Sequence, residues 1–503
     1  MPEFIKNLPF FCILLSLLCA VVCYILKDKK ARLVSYALII SGMIMSSFIL
    51  LFNLTEEPGY FVYRMGHYDA PIGNEISAGL LEPFFVLLFE TVILLSITGG
   101  AKKIFKDTDE SKQKIFYIMI NLTHAALCAL CYTNDIFTAY VFVEICTIAS
   151  CALLMSKSSA RSLVAATRYM IFSLIGSGLV LIGIILLYSV TGHLLFPQLY
   201  ESIQKLWLQG EYNFPLTVSL GLLVSGLAIK SGLCPFHLWM PDTYGTATPA
   251  ASGILSGVIS KVYIFLLLKV IFRVIGIDIF NESKIGTLLF ILGICGMIFG
   301  SLAAIRTNNI NFMTAFSSAA QIGYIYMGIG IGTKAALLAS LFHITVHAIT
   351  KPMLFLSADG LSATVRNKQD FASLCSSGHT NKISGIAFAA GSLSMVGIPI
   401  FAGFISKLLF ATAAFGHPVK IYFVLIALAI STTLNVVYFL RTLINIYAVP
   451  KIEISRKLIT FRNSPVQSSV LLVMAALNIV VGLCSQPIIS LFEKGLEIFI
   501  NIH

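Results

Sequence analysis

Eight ionisable residues lie deep inside long apolar stretches of this sequence. They are Glu90, Glu144, Arg168, Lys230, Lys261, Lys351, Lys407 and Arg441. A charged side chain at the centre of a bilayer costs at least about 2.5–3.5 kcal/mol on insertion scales, so such residues face protein or water and usually serve a function. Because amines and carboxylates bind and release protons, the chemistry that this set predicts is proton transfer.

Two of the lysines lie beside an interruption of an apolar stretch by glycine and proline. Lys230 stands in SGLAIKSGLCPFHLWMPD, and Lys407 ends GSLSMVGIPIFAGFISK. The interrupting residues are Gly232, Pro235, Gly397 and Pro399. A broken helix frees backbone amides and carbonyls, which bring water to a neighbouring amine. Because the pattern occurs once in each half of the chain, it indicates inverted repeats whose broken helices meet near the membrane midplane.

Histidines and further lysines lie between these two interruptions. His343, His347 and Lys351 recur every four residues in LFHITVHAITKPMLFLSADG, so they share one helical face. His237 and Lys261 follow the first interruption. Imidazole titrates near pH 6.5, and burial or a nearby carboxylate switches the charge of an amine. A row of such groups predicts a proton wire.

The elements that must position these residues are membrane-spanning helices. The chain of 503 residues is 57% hydrophobic and only 11% charged, whereas a soluble domain carries about a quarter charged residues. A helical span needs about 20 mostly apolar residues, and continuous apolar runs favour helices over a barrel. The sequence therefore predicts an all-α polytopic membrane protein with about 14 transmembrane helices. The predicted spans are 9–26, 32–52, 80–100, 115–132, 135–154, 164–190, 216–240, 250–272, 286–305, 310–331, 335–357, 384–412, 421–447 and 467–492.

The net charge of +11 reflects membrane topology. Nineteen basic residues fall in loops on one side of the predicted spans and nine on the other, with Lys269 and Arg273 counted among the nine. The positive-inside rule places the richer side inside and both termini outside. We expect the outer loop 53–79 to be a solvated cover. No basic face is interleaved with aromatic residues, so no nucleic-acid partner is predicted.

The cysteines and the N-terminus predict no further chemistry. Cys128 and Cys131 form a C-x-x-C pair inside a span, without the second pair that a metal site requires. Glycine-rich phosphate loops and the spacings of haem or iron–sulfur ligands are also missing. We therefore predict no metal and no cofactor. The N-terminus MPEFIKNLPF lacks a charged n-region, which predicts that the first span is a retained helix.

The motifs KSGLCPFHLWMPDTYGTATPAASG, HITVHAITKP and GIPIFAGFISK resemble those of the antiporter-like subunits of respiratory complex I, Mrp-type cation/proton antiporters and membrane-bound hydrogenases. The likeness covers roughly residues 115–447. It implies fourteen helices, with helices 4–8 and 9–13 as inverted repeats and helices 7 and 12 broken. The implied segments are 1–114 for the first three helices and the outer loop, 115–272 and 286–447 for the repeats, and 466–503 for the last helix.

The resemblance also implies a role for each ionisable residue of the repeats. Glu144 pairs with Lys230, and Lys261 carries protons from that pair toward the centre, with His237 connecting the two lysines. The central link consists of His343, His347 and Lys351. Lys407 is the residue from which the proton leaves.

The function that the resemblance implies is proton translocation by a membrane subunit of a multisubunit redox-driven pump or an Mrp-type antiporter in a prokaryotic inner membrane. The implied partners are other integral membrane subunits, namely a paralogous antiporter-like subunit and small multi-helix subunits, together with H⁺ or Na⁺ and a peripheral redox arm. Two other interpretations of the sequence stay open. The protein could be a stand-alone secondary transporter for a small solute, or a membrane scaffold for a peripheral oxidoreductase.

Structural roles are also open for several of these residues. The lysines could hold kinked helices through ion pairs or extend toward an interface, and the histidines could form interhelical hydrogen bonds. We interpret Arg168 and Arg441 as structural residues and His124 as an ordinary packing residue. We expect Glu90 to face a small neighbouring subunit.

Overall fold

The computed structural model describes residues 2–68, 73–449 and 457–501. Lys451 and Arg456, counted among the inner basic residues, and Asp69 of the outer loop lie outside the described residues. The described chain is a multi-pass helical membrane protein with one small sheet. Its helices are α1 (Pro2–Ile25), α2 (Asp28–Thr55), α3 (Leu81–Asp107), α4 (Glu110–Tyr132), α5 (Ile136–Met155), α6 (Ala160–Thr191), α7 (Phe196–Gln209), α8 (Asn213–Ser231), α9 (Trp239–Thr246), α10 (Pro249–Ile254), α11 (Ser260–Val270), α12 (Ile277–Glu282), α13 (Ile285–Arg306), α14 (Ile310–Ile331), α15 (Lys334–Ser362), α16 (Phe371–Leu374), α17 (Ser377–Thr380), α18 (Lys382–Val396), α19 (Ala402–Ala414), α20 (Lys420–Tyr447), α21 (Pro465–Leu483) and α22 (Ser485–Asn501).

Twelve helical stretches in the described part of the chain are long and apolar enough to cross a membrane. They do not include α14, which has 22 residues but carries many polar side chains. They also omit α18 and α19, of 15 and 13 residues, which together fill the predicted span 384–412. Fourteen transmembrane helices are reached only if α14 and the broken pair α18–α19 are added to these twelve, so the number fourteen stays a prediction.

Two helices differ from the sequence-based prediction. The predicted span 467–492 is present but ends earlier than predicted, because α21 ends at Leu483. The following helix α22 is amphipathic and buries Phe492, Leu496 and Phe499 on one face. A second amphipathic helix, α7, lies between α6 and α8 where only a loop was expected.

The outer loop 53–79 contains an antiparallel hairpin. Its strands are β1 (Phe61–Arg64) and β2 (Glu75–Ala78), with Phe61 opposite Ala78 and Arg64 opposite Glu75. All four residues of β2 are buried. The expectation of a solvated cover is therefore wrong for this strand, which is packed against the helices.

Two stretches form the interior of the molecule. Every residue of α15 from Ala336 to Ser362 is buried, and so is the whole stretch Pro249–Ile275. The second stretch consists of α10, α11 and two π-helical turns at Leu255–Ile259 and Ile271–Ile275. Such turns are rare and often accompany functional sites. The interior therefore holds the two helices that carry Lys261 and Lys351.

Candidate functional site

Both interrupted helices end in the same local geometry. α8 ends at Ser231 and α18 at Val396, and the following residues Gly232 and Gly397 have φ of +80° and +93°. The amide after each glycine donates to the carbonyl five residues earlier, from Leu233 to Ala228 and from Ile398 to Leu393. This is the Schellman type of helix end, and glycine is the residue that adopts its left-handed φ without strain.

Lys230 lies at the end of α8 and faces α5. Its Nζ donates to Thr147 Oγ1 at 2.7 Å and lies 3.8 Å from Glu144 Oε1. Thr147 Oγ1 is in turn 3.4 Å from the Tyr263 hydroxyl on α11, and the Tyr263 ring lies 5.6 Å from the ammonium. The Lys230 amine thus contacts an acid and a hydroxyl on α5 and lies near a phenol on α11.

His237 lies in the short 3-10 turn after the α8 break and is buried. Its Nδ1 has no hydrogen-bond partner among the described residues. The structure places no hydrogen bond between His237 and either Lys230 or Lys261 in the described chain. The connecting role of His237 stays a prediction.

Lys261 is fully buried next to the first π-helical turn. Its Nζ donates to the carbonyl of Ser256 and to Ser260 Oγ, the latter at 3.1 Å. The Ser256 carbonyl belongs to the π-helical turn, whose altered hydrogen bonding makes it accessible to the amine. Lys261 therefore depends on neutral oxygen atoms for its contacts.

The central helix α15 carries Lys351 and both predicted histidines. Lys351 Nζ donates to the Thr314 carbonyl at 3.0 Å and to Ser317 Oγ, both on α14. The rings of His343 and His347 are parallel within 11°, with centroids 6.2 Å apart. Lys261 and Lys351 both lie within electrostatic range of His347. The structure thus brings together the residues of the predicted central link.

Lys407 lies at the far end of this group. Its Nζ donates to the Val396 carbonyl at the end of α18, at 2.6 Å, and to Thr432 Oγ1 at 3.1 Å. His343 Nδ1 lies 3.0 Å from Ser406 Oγ, next to Lys407 in the chain. The Tyr324 ring stacks on His343 at 5.4 Å and lies 5.5 Å from the Lys407 ammonium. The Tyr324 ring therefore lies against both His343 and the Lys407 ammonium.

The four lysines of the site differ in whether an acidic side chain lies nearby. Among the described residues, only Lys230 of the four lysines has a carboxylate within 4 Å. Buried ammonium groups without counter-ions are costly and oppose one another's charging. Such a group cannot carry many charges at once, so a proton added at one end favours release of a proton at another. The arrangement suits stepwise proton transfer.

Sequence reasoning missed two buried cations of this region. Lys269 and Arg273 were counted among the outer loop residues, but both are fully buried, so this assignment is wrong. Lys269 donates to the carbonyls of Cys131 and Thr133 at the end of α4, and Arg273 pairs with Glu82 at 2.5 Å. Lys269 and Arg273 are four residues apart, which places both on one helical face, and this spacing was a usable signal.

The remaining ionisable residues have other positions. Arg168 pairs with Asp242 and Arg441 donates to the Ile305 carbonyl at 3.0 Å, both with exposed side chains. Glu90 is fully buried and bonded to His124, so the expectation that it faces a neighbouring subunit is wrong. His124, read as packing, belongs to the same polar contact.

Comparisons with known proteins identify the family of this chain. The NADH:quinone oxidoreductase/Mrp antiporter transmembrane family matches residues 133–434. NADH-quinone oxidoreductase subunit N of Desulforudis audaxviator is 32% identical over 396 residues, covering 76% of this chain and 75% of the relative. A Na⁺/H⁺ antiporter subunit of Alkalihalophilus pseudofirmus is 26% identical over 389 residues, covering 77% and 76%.

Solved structures show the same fold. A chain of the Mrp complex from Dietzia sp. DQ12-45-1b superposes with a TM-score of 0.84 at 19% identity, covering 99% of this chain and 98% of that chain. A chain of the membrane-bound sulfane sulfur reductase, an archaeal respiratory membrane complex, gives a TM-score of 0.84 at 23% identity, covering 99% and 97%. The matched segment includes every predicted proton-transfer residue, and the chain belongs to the NADH:quinone oxidoreductase/Mrp antiporter transmembrane family.

Proposed function

We propose that this chain moves protons across the membrane as an antiporter-like subunit of a multisubunit complex. The observation that carries the proposal is the contact of Lys230 with Glu144 at the α8 break, at one end of a group of buried or partly buried amines whose other members have no acid within 4 Å among the described residues. A proton taken up near this pair passes by way of Lys261, Lys351 and the α15 histidines to Lys407. The names of the relatives, subunits of respiratory and antiporter complexes, support the same role.

We also propose that partner subunits supply the driving force through Glu144. Moving one charge against 100 mV requires about 2.3 kcal/mol. The Glu144 side chain is 25% exposed whereas that of Lys230 is 0% exposed, so the acid is reachable from outside the chain and the amine is not. A partner that draws Glu144 away would leave the ammonium without its counter-ion and favour release of its proton. Paralogous and small multi-helix membrane subunits are the proposed partners.

The repeat organisation and the membrane orientation are parts of this proposal. The matching ends of α8 and α18, each followed by a left-handed glycine, support two related halves over residues 115–272 and 286–447. The excess of basic loop residues on one side supports both termini outside. The proposed location is the inner membrane of a prokaryotic cell.

Proton uptake by vesicles that contain the purified native complex tests the proposal. Lys230→Met and Glu144→Gln should each abolish most of the uptake, while Lys334→Met, which removes a half-exposed amine bonded to Glu497, should not. Normal uptake by the first two variants would contradict the proposal. Solute uptake by the isolated chain would favour a stand-alone transporter, and flux that survives loss of all four lysines would favour a scaffold.

A further inference from the structure

A buried polar group lies outside the lysine group described above, within the bundle formed by α1, α2, α3 and α4. Glu90 on α3, His124 on α4 and Ser16 on α1 are all 0% exposed. His124 Nε2 lies 2.8 Å from Glu90 Oε1, and His124 Nδ1 lies 2.7 Å from Ser16 Oγ. Each of the three residues is at least eight positions from the nearer end of its helix, which is about 12 Å at 1.5 Å per residue.

The hydrogen bonds determine how many protons this group holds. The Ser16 hydroxyl donates to the Cys12 carbonyl at 2.5 Å, so it accepts from His124 Nδ1. Nδ1 therefore carries a hydrogen, and one further proton is shared along the line between His124 Nε2 and Glu90 Oε1. Glu90 Oε2 has no hydrogen-bond partner among the described residues and offers a place for an additional proton.

The fold makes room for this pair on α2. Gly42 faces it, and a Cβ at this position would overlap Glu90 Oε1 and come within 2.9 Å of His124 Nε2. A glycine inside a helix is less favourable than alanine. The close approach of α2 to the pair therefore explains why glycine is required at this position.

Further polar residues continue from the pair toward both ends of the bundle. On one side Asn121 Nδ2 donates to Cys23 Sγ at 3.3 Å, and Cys23 Sγ lies 3.9 Å from Ser35 Oγ. On the other side Ser46 lies next to both Glu90 and Tyr132. We call this line of polar residues, which passes Glu90 and His124 inside the α1–α4 bundle, the seam. Several of its buried side-chain atoms lack hydrogen-bond partners among the described residues. They are Ser46 Oγ, Asn53 Oδ1, Glu90 Oε2, Asn121 Oδ1 and Tyr132 Oη.

These unpaired atoms indicate that the seam is hydrated. A buried polar atom without a partner is costly, and ordered water with two to four polar neighbours removes that cost. Five such atoms in one four-helix bundle favour ordered water between the helices. Water along the seam would connect the Glu90–His124 pair with both surfaces.

We propose that Glu90 and His124 form a proton-binding site in a hydrated seam of the α1–α4 bundle, separate from the lysine group. The other titratable side chains that face the pair are thiols and a phenol, contributed by Cys12 on α1 and by Cys128, Cys131 and Tyr132 on α4. Gly42 and Ser46 are the residues of α2 that face it. Within the described part of the chain, no lysine or arginine contacts Glu90 or His124 directly.

A metal is the other ligand that this cluster suggests, since the ligand atoms of Glu90, His124 and Cys128 lie within 4.8 Å of one another. The hydrogen bonds favour the proton, because both imidazole nitrogens of His124 are already engaged with Glu90 and Ser16. A metal would have to displace one of these contacts. Binding of Zn²⁺ is therefore an outcome that the experiment must distinguish.

Infrared difference spectroscopy of the full-length chain in nanodiscs, recorded across pH in H₂O and D₂O, tests the proposal. We expect a carbonyl-stretch signal of a protonated carboxyl group that shifts in D₂O within minutes. Glu90→Gln should remove it, and His124→Gln should move its midpoint by about one pH unit or more. Gly42→Ala should perturb the signal without changing a titratable group, while Gly178→Ala, whose Cβ meets no atom within 4 Å, should not.

Lys230→Met separates this proposal from the proposed function, because it should leave the carboxyl signal unchanged even where it stops proton transport. The proposal is overturned if the wild-type signal is missing, or if it does not exchange in D₂O over hours, which would show a dry structural pair. It is also overturned if one Zn²⁺ per chain co-purifies and is lost in Cys128→Ala.

Discussion

Glu144 Oε1 and Lys230 Nζ lie 3.8 Å apart but have different surroundings. The acid lies at an accessible surface, and the amine lies in the protein interior. Thr147, one helical turn after Glu144, gives the amine a second contact at 2.7 Å that does not depend on charge. Lys230 therefore keeps a hydrogen-bond acceptor when Glu144 moves. The acid can change the charge of the amine while the threonine maintains its position.

Replacing Glu144 by glutamine should reduce proton transport at least tenfold without unfolding the chain. Glutamine keeps the size and the polarity of the side chain but removes the charge that stabilises the buried ammonium, and each 1.4 kcal/mol corresponds to tenfold. The measurement is the initial rate of proton uptake in vesicles that contain the native complex. Glu201→Gln, which removes an exposed acid on α7, is the control and should retain the wild-type rate. Equal rates for both variants would refute the role of the pair.

Lys261→Met should stop transport while raising thermal stability. Lys261 is buried with only a carbonyl and a hydroxyl as partners, so its charged form is costly and methionine of similar length removes that cost. Such opposition between stability and activity is expected at functional sites. The measurement pairs the thermal unfolding midpoint with proton uptake. A variant that is both less stable and fully active would show that Lys261 is structural.

Hydropathy and residue type were enough to predict most of the helices and the lysines beside the glycine breaks. The hydroxyl partners were not predictable in this way, because serine and threonine occur on many faces of these spans. Ser317 and Thr432 became partners of lysines only through the packing of α14 against α15 and of α20 against α19.

The burial of Lys269 and Arg273 was not predicted, for a similar physical reason. Lys269 and Arg273 lie near the end of an apolar run, which resembles a membrane boundary. The hairpin strand β2 and the amphipathic helix α22 cover this end: Ser77 accepts from Arg273 at 2.7 Å, and the Phe499 ring lies 4.4 Å from the guanidinium. Because these covering elements are distant in sequence, a local apolar pattern does not reveal the burial.

Gly397→Ala should destabilise the chain and impair transport together. Gly397 has φ of +93°, and a Cβ would come within 2.9 Å of Lys407 Cδ, so alanine strains the backbone and displaces the amine. Strain of this kind costs about 1–3 kcal/mol. Thermal unfolding and proton uptake are measured on the same preparation, with Gly178→Ala as the matched helical control. Wild-type behaviour of Gly397→Ala would show that the left-handed turn is not required.

Loss of the Arg273–Glu82 pair should be far more destabilising than loss of the Arg168–Asp242 pair. The side chains of the first pair are each 1% exposed, whereas those of the second are 59% and 33% exposed. Leaving a buried charge unpaired costs about 3–5 kcal/mol, and exposed pairs contribute about 0–1 kcal/mol. Arg273→Leu and Arg168→Leu, compared by thermal unfolding in one detergent, check this difference. Similar losses of stability would contradict the assigned burial.

The attachment of α22 to α15 should weaken in acid. Lys334 donates to Glu497 at 2.8 Å, and this hydrogen bond together with the lysine charge lowers the pKa of Glu497 below its usual value of 4.5. A lowered pKa in the folded state means that the contact is fully present above pH 4.5 and is lost as the pH falls through the lowered value. The mobility of a spin label at Glu493→Cys, in a Cys484→Ser background, should rise over that range. Glu497→Gln should show no such transition, and an unchanged transition in that variant would assign it to another group.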